Sequence, residues 1–325
     1  MAFVAVGVGF VLLLVGAELL VRGAVALARR IGVSQLLIGL TVVAYGTTAP
    51  ELVVSLRAAL GGAPAIAVGN VVGSNIANML LILGVAALIY PLVCRPGALR
   101  RDGPVVIAAA LVMVALGLVG HIDRWHGAIM LAALVGLTLR TYRAERRDGA
   151  AAEIHVREAE EFSAGQPRTA TLMAVFVVIG VAGVVAGSHL LVGGAIQIAR
   201  DLGVSEAVIG LTLVAVGTSL PELATAVVAA YRGHPEVALG NVLGANTFNV
   251  LAIMGLVSLV TPLPIPAQIA GFDIWVMLGV TLFLVPWLMT RGRVGPGLAA
   301  AFLVAYGAYV VALYAGLSGV AQAGG

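Results

Sequence analysis

Long apolar segments follow one another along almost the whole chain, and the short stretches between them carry most of the polar residues. A helix needs about 20 consecutive apolar residues to cross the hydrocarbon core of a bilayer. The ten-residue alternation that is typical of a membrane β-barrel is not found in this sequence. The pattern therefore predicts an all-α integral membrane protein with ten transmembrane helices, at residues 2–28, 35–60, 69–89, 103–120, 125–142, 170–198, 205–230, 240–260, 273–290 and 296–317.

Composition supports this prediction and excludes other classes. Hydrophobic residues make up 61% of the chain and charged residues only 10%, against about 25% charged residues in an average soluble domain. No GxSxG motif, P-loop or metal-spaced histidine cluster occurs, and Cys94 is the only cysteine. We therefore expect a protein that is not an enzyme, has no cofactor, and has no nucleic-acid or obligate protein partner.

The arginines predict how the chain is oriented in the membrane. The sequence has no lysine, and 14 arginines fall on one set of alternate connections whereas only three fall on the other. Positively charged connections face the cytoplasm. We therefore expect a cell-membrane protein with both termini extracellular and with the linker 143–168 in the cytoplasm. The 14 arginines are Arg29, Arg30, Arg95, Arg100, Arg101, Arg140, Arg143, Arg146, Arg147, Arg157, Arg168, Arg232, Arg291 and Arg293.

The two halves of the chain are copies of each other. Shifting the sequence by 171 residues aligns 32–84 with 203–255 without a gap and with 28 identities in 53 positions. The identities include glycines, prolines, glutamates and asparagines, which chance matching of apolar segments would not produce, so the chain contains a true internal repeat. It divides into a first five-helix repeat at 1–142, the linker 143–168 and a second repeat at 169–325.

The number of helices in each repeat determines their relative orientation. Five is odd, so the second repeat must enter the membrane with the opposite orientation. Inverted repeats of transporters place a shared binding site near the bilayer midplane.

One acidic residue occupies the same position in each repeat. Glu51 and Glu222 lie within apolar helices, where a carboxylate is costly and usually functional. Each follows a proline, Pro50 or Pro221, that lacks the N–H needed to continue the helical hydrogen bonds. Backbone carbonyls left free at that depth need protein, water or an ion as a partner. The pattern favours a cation site, although an ordinary kink and a protonated structural acid are the simpler alternatives.

The neighbouring polar residues indicate which cation would bind. Carboxylates, hydroxyls, backbone carbonyls and amides form a set of hard oxygen donors, which suits Ca²⁺ better than Zn²⁺ or Cu²⁺. Sodium would use overlapping positions, and competition at one site produces exchange. The candidate residues around the two glutamates are Thr47, Thr48, Ser74, Asn78, Thr218, Ser219 and Asn249. Hydrogen bonds between helices are the alternative explanation for the asparagines.

Other polar residues have structural explanations. Asp102, Asp273, Asn70 and Asn241 are expected to cap helix N-termini. Glu18 and Arg22 are one helical turn apart and are expected to form an ion pair.

The motifs GTTAPE at 46–51 and GTSLPE at 217–222, followed by GNVVGSNIAN at 69–78 and GNVLGANTFN at 240–249, resemble the cation/calcium antiporter superfamily. The similarity is to its prokaryotic sodium/calcium exchanger branch. It implies sodium/calcium antiport by alternating access through sliding of the first and sixth helices. It also implies that Glu51 and Glu222 bind Ca²⁺. By the same resemblance, Ca²⁺ or Na⁺ would be bound by Thr47, Thr218, Ser74, Ser219, Asn78, Asn249 and the carbonyls of Ala44 and Ala215.

Two positions differ from related exchangers. Ala245 stands where the second repeat often has a serine, which affects one sodium position. Asn249 replaces an aspartate found in some relatives. The alternative functions are an H⁺/Ca²⁺ or other divalent-cation antiporter, an intramembrane enzyme that uses the two acids, and a passive channel.

Overall fold

The structure is a computed structural model and describes residues 2–94, 96–147, 167, 169–201 and 215–314. Most of the linker 143–168 and the first part of the predicted helix 205–230 lie outside these ranges, so nothing about them is tested. The predicted ends are close to the observed ones elsewhere, and the largest differences are at helix starts. The helix predicted at 69–89 begins at Pro64 and the one predicted at 103–120 begins at Pro96. Proline is favoured in the first turn because its missing N–H is not needed there.

The first half of the chain forms helices with two short interruptions by π-helical turns. These turns are Gly39–Val43 and Asn78–Ile82. The helices and strands are α1 (Ala2–Ile31), α2 (Gln35–Ile38), α3 (Ala44–Thr47), α4 (Ala49–Leu60), α5 (Pro64–Ala77), α6 (Leu83–Ile89), β1 (Leu92–Val93), α7 (Pro96–Val119), β2 (His121–Ile122) and α8 (Arg124–Arg147).

The second half repeats this order. Its π-helical turns are Asn249–Met254 and Ile269–Asp273. The helices and strands are α9 (Ala170–Asp201), α10 (Ala215–Thr218), α11 (Leu220–Tyr231), α12 (Pro235–Phe248), α13 (Gly255–Val260), β3 (Leu263–Pro264), α14 (Ile274–Arg291), β4 (Arg293–Val294) and α15 (Pro296–Tyr314). The bounds of α3, α4 and α5 recur in α10, α11 and α12 after a shift of 171 residues, so the sequence repeat is also a structural one.

The helices have the length and composition of membrane spans. In the described part of the chain, seven helices can cross a bilayer, or eight if one bent pair is counted as a span. Large apolar side chains face outward along them, as with Phe3, which is 77% exposed, and Val304, which is 73% exposed. An outer surface of this kind is stable in lipid but not in water. The protein is an all-α membrane protein, and the count of ten spans stays a prediction.

The predicted helix caps are wrong. Asp102 and Asn70 lie inside α7 and α5 rather than at their first residues. Asp273 ends a π-helical turn with helical dihedral angles, and its carboxylate accepts a hydrogen bond of 2.8 Å from the Tyr309 hydroxyl. Asn241 lies inside α12 in the same way. Helical structure begins before each of these four residues, so their side chains lie within helical segments instead of capping them.

The chain folds into two compact units, and each combines segments from both halves. The first unit contains Met1–Pro50 and Thr138–Gly244, and the second contains Glu51–Leu137 and Ala245–Gly325.

In the first unit, α1 packs antiparallel against α9 along glycines. A Cβ atom added to Gly16 would lie 2.6 Å from the backbone nitrogen of Val184, and one added to Gly187 would lie 2.8 Å from the carbonyl oxygen of Gly9. Small residues at such a seam allow two helix backbones to approach closely in a membrane.

The second unit is built around α7, which packs antiparallel against α14. A Cβ atom at Gly103 would lie 2.9 Å from Val285, and one at Gly117 would lie 2.8 Å from Ile274. The two-residue strands pair antiparallel, β1 with β4 and β2 with β3, and they link the ends of these helices. In the same unit α5 packs against the turn Asn249–Met254. Four asparagines in and next to these segments are buried: Asn75, Asn78, Asn246 and Asn249.

Candidate cation site

The helix that carries each glutamate is broken just before the proline. Gly39–Thr47 and Ala49–Leu60 meet at an angle of 50°. Thr48 at the break has φ −79° and ψ 5°, and Ser219 at the equivalent position has φ −89° and ψ 7°. Pro50 and Pro221 supply no backbone N–H at these breaks, which is the usual cause of a sharp kink. The predicted disruption of both helices is confirmed.

In the first unit, residues from both halves of the chain surround Glu222. Its side chain is fully buried, and the Thr47 hydroxyl lies beside it. Thr47 Oγ1 is 3.1 Å from Asn241 Oδ1 and 3.3 Å from the carbonyl oxygen of Ala44. Asn241 Nδ2 donates to the backbone carbonyl of Glu222 at 3.3 Å. These contacts fix the backbone and the neighbouring groups of Glu222 but leave its carboxylate available.

The carboxylate oxygens of Glu222 have no hydrogen-bond partner among the described residues. The hydroxyl oxygen of Thr225 is buried in the same way, without a partner in the described part of the chain. Thr225 follows Glu222 by three residues, so the two side chains share one face of α11. Buried polar groups almost always have partners, and an exception calls for a ligand or a function. Both residues therefore have buried oxygens of the kind that coordinate hard cations.

The second unit contains Glu51, which is 1% exposed. Asn70 reaches it from α5 and donates to its backbone carbonyl at 3.3 Å and to Ser55 Oγ at 3.0 Å. The contact from Asn70 to Glu51 repeats the one from Asn241 to Glu222 at the same distance. In both repeats an asparagine thus holds the glutamate backbone, which is the role that the cap prediction missed.

Four asparagines form a reciprocal network in the same unit. Asn75 and Asn246 exchange hydrogen bonds between side-chain nitrogens and backbone carbonyls, at 3.3 and 3.0 Å. Asn78 Nδ2 donates to Asn246 Oδ1, and Asn249 Nδ2 donates to Asn75 Oδ1, both at 2.9 Å. Each contact made by a residue of the first half is matched by the same contact from its equivalent residue, 171 positions later, in the second half.

This network orients two of its amide oxygens. The side-chain oxygens of Asn78 and Asn249 are buried and have no hydrogen-bond partner among the described residues. The nitrogens are fixed by the neighbouring asparagines, so the oxygens must point elsewhere. The asparagines therefore link helices, as the simpler alternative proposed, and also present two neutral oxygen donors.

The remaining predicted side chains, Thr48, Ser74, Thr218 and Ser219, are all buried. The Thr48 hydroxyl donates to the carbonyl oxygen of Ala44 at 2.9 Å, and the Thr48 backbone N–H donates to the same oxygen at 3.0 Å. Ser74 and Ser219 are each 4% exposed and Thr218 is 9% exposed. Ala215 is the first residue of α10. The sequence prediction missed Thr225, although its spacing from Glu222 was a readable signal.

The available donors suit a hard cation. Within the described ranges, no three His, Cys, Asp or Glu side chains cluster as in a zinc or iron site. Carboxylate, hydroxyl and amide oxygens are instead the ligands that Ca²⁺ and Na⁺ prefer. Discontinuous membrane helices are also a common feature of the ion and substrate sites of transporters. Fold and donors together define a membrane transporter of cations.

Known proteins agree with this class. The model of the sodium/calcium exchanger protein family matches residues 1–142 and 172–315. A putative antiporter CaxA from Alkalimonas amylolytica is 38% identical and covers 88% of this chain and 89% of its own. The sodium/calcium exchanger MaX1 from Methanosarcina acetivorans is 31% identical over an alignment that covers 94% of this chain and 96% of the exchanger.

Solved structures show the same fold. The sodium–calcium exchanger NCX_Mj, soaked with 10 mM Na⁺ and 10 mM Sr²⁺, is 29% identical, covers 96% of this chain and 97% of its own, and superposes with a TM-score of 0.81. The chain therefore belongs to the sodium/calcium exchanger family and is a membrane antiporter of the cation/calcium class.

Proposed function

We propose that the protein exchanges Na⁺ for Ca²⁺ across the membrane by alternating access. The site would lie at the midplane, with equivalent residues of both repeats contributing to it. Its central ligands would be Glu51 and Glu222, because two carboxylates neutralise one divalent cation. The observation that carries the proposal is the buried carboxylate of Glu222, whose oxygens no described residue satisfies.

The amide oxygens favour metal ions over protons as the transported species. Asn78 and Asn249 present buried oxygens without a described partner. An amide oxygen accepts hydrogen bonds and coordinates metals, but it does not take up a proton in the physiological range. A site that carried only protons would have no use for such donors, whereas Ca²⁺ needs six to eight oxygens.

Two observations support inverted repeats with ten spans. Helices α1 and α9 occupy equivalent positions in the repeat, and they pack antiparallel. The asparagine contacts also recur with the halves exchanged, as a twofold axis would require. We propose that both termini are extracellular and that the linker 143–168 is cytoplasmic, following the distribution of arginines. We also propose that Ca²⁺ and Na⁺ are the transported ions and that transport needs no cofactor.

Reconstituted protein tests the counter-ion directly. In proteoliposomes loaded with sodium, an outward Na⁺ gradient should drive uptake of radiolabelled calcium, and collapsing the gradient with a sodium ionophore should stop it. Uptake that follows a pH gradient and ignores sodium would instead identify the H⁺/Ca²⁺ alternative. Calcium flux that needs neither gradient would indicate a channel and would refute antiport.

A further inference from the structure

The second unit has an apolar groove at the end of the helix pair where α7 begins and α14 ends. Its volume is about 360 Å³. Helix α7 contributes Pro104, Ile107, Ala108 and Leu111, and helix α14 contributes Pro286, Met289 and Thr290. The α7 residues are spaced as one helix face, and the α14 residues continue the groove on the adjacent helix. Both helices thus turn an apolar surface to the same cleft.

The groove offers almost no hydrogen-bonding group to a ligand. Its only hydroxyl, on Thr290, is within 2.8 Å of the Pro286 carbonyl and 3.1 Å of the Trp287 carbonyl, so it is satisfied within its own helix. Pro104, Ala108 and Pro286 are exposed along it. In a protein that spans a membrane, such an open apolar cleft faces hydrocarbon chains.

Three arginines are close in the chain to groove residues, at the end where α7 begins and α14 ends. Arg100 precedes Pro104 by one helical turn, Arg291 follows Thr290 directly, and Arg293 lies in the adjoining strand β4. All three are exposed. In the described part of the chain, no carboxylate forms an ion pair with any of them. Three positive charges therefore stand beside an apolar cleft without internal neutralisation.

Trp287 contacts two of these arginines. Its indole N–H donates to the backbone carbonyl of Arg293 at 2.9 Å, and the guanidinium carbon of Arg291 lies 5.8 Å from the centre of its ring. Tryptophan is enriched at the level of the lipid headgroups, where an amphipathic ring sits between hydrocarbon and water. Trp287 thus indicates that the headgroup level lies at this end of the groove, next to the arginines.

We propose that this groove binds an anionic phospholipid of the surrounding bilayer, with an acyl chain between α7 and α14 and the headgroup on Arg100, Arg291 and Arg293. Basic pockets between membrane helices recognise anionic headgroups in this way. A zwitterionic lipid would offer the same chains without the net charge. The site is separate from the candidate cation ligands, so it does not depend on which ion the protein exchanges.

Native mass spectrometry of the full chain in detergent measures this binding. The probes are phosphatidylglycerol and phosphatidylcholine with identical acyl chains. The wild-type protein should bind phosphatidylglycerol more tightly. In the double variant Arg291→Gln/Arg293→Gln, phosphatidylglycerol binding should weaken by about 10- to 30-fold while phosphatidylcholine binding barely changes.

Two further variants distinguish specific binding in the groove from nonspecific attraction between anionic lipids and surface arginines. Ala108→Phe should fill the groove and weaken binding of both lipids, since the side chain is exposed to lipid and the fold should tolerate it. Arg57→Gln removes an exposed arginine that is not part of the groove and should leave both affinities unchanged.

Three results would overturn the proposal. They are equal wild-type affinity for the two lipids, unchanged phosphatidylglycerol binding in Ala108→Phe, and an effect of Arg57→Gln as large as that of the double variant. Displacement of the lipid by excess inorganic phosphate would show a site for free anions instead. Thermal unfolding of each variant checks that the protein remains folded.

Discussion

The contact between α1 and α9 leaves no room for a methyl group at its glycines. The cost of adding one can be measured by comparing the stabilities of alanine variants at two glycines of α1, one at the contact and one away from it. A Cβ atom at Gly16 would lie 2.6 Å from the backbone nitrogen of Val184, whereas one at Gly7 would meet nothing within 4 Å. Optimal separations between carbon atoms are about 3.5–4.0 Å, so Gly16→Ala forces the backbones apart by about 1 Å. Overpacking of this kind costs about 1–3 kcal/mol.

The comparison with Gly7→Ala isolates this cost. Both variants gain the same helix propensity, about 0.5–1 kcal/mol relative to glycine, so that contribution cancels in the difference. We expect Gly16→Ala to unfold at a temperature about 2–12 °C lower than Gly7→Ala, taking about 2–4 °C per kcal/mol. Thermal unfolding in detergent, followed by tryptophan fluorescence, provides the measurement.

A matched pair on α9 repeats the test. A Cβ atom at Gly187 would lie 2.8 Å from the carbonyl oxygen of Gly9, whereas one at Gly193 would meet nothing within 4 Å. Gly187→Ala should therefore be less stable than Gly193→Ala by a similar amount. Equal melting temperatures within both pairs would refute close packing of the two helices along this seam.

Two other predictions concern polar groups of the two units. Asn246→Ala removes both side-chain hydrogen bonds of Asn246 and leaves the Asn78 amide without its acceptor. Thermal unfolding should therefore show that the free energy of unfolding falls by about 2–4 kcal/mol. A decrease below about 1 kcal/mol would contradict the network. Burial, helped by Arg29 and Arg232 and opposed by Glu18, lowers the pKa of His234 to about 4. Because the folded state favours the neutral imidazole, stability should be complete above about pH 6.5 and should fall between about pH 6.5 and 4. The stability of His234→Gln should not show this decrease at low pH. If its stability depends on pH in the same way as that of the wild type, His234 is not the cause of the decrease.

Local chemistry in the sequence was enough to predict the helices and the breaks near the glutamates. The spans follow from the length of apolar segments, and Pro50 and Pro221 mark the breaks because proline removes a donor wherever it occurs. The internal repeat alone establishes that Glu51 and Glu222 are equivalent. The spacing of Glu18 and Arg22 also predicted their ion pair, which the structure confirms.

Long-range contacts could not be predicted in this way. Arg232 joins Glu18 across 214 residues of sequence, with Nε 2.8 Å from Oε2, and no local pattern indicates this pair. Asn241 and Asn70 were expected to be caps because asparagine favours helix starts. Their actual role, donation to the glutamate backbones, depends on which helix packs beside them. The mixing of both halves within each unit is likewise a property of tertiary packing.

The central claim is that the buried carboxylates bind the transported calcium. Equilibrium binding of radiolabelled calcium to purified Glu222→Gln and Glu51→Gln, in sodium-free detergent solution, tests it most directly. Glutamine preserves the size of the side chain but removes its charge, and loss of one partner from a buried charge pair costs about 3–5 kcal/mol. Each variant should bind calcium roughly a hundredfold or more weakly, whereas the control Glu236→Gln, at the start of α12, should bind as the wild type does. Wild-type calcium affinity in either Glu222→Gln or Glu51→Gln would contradict the account.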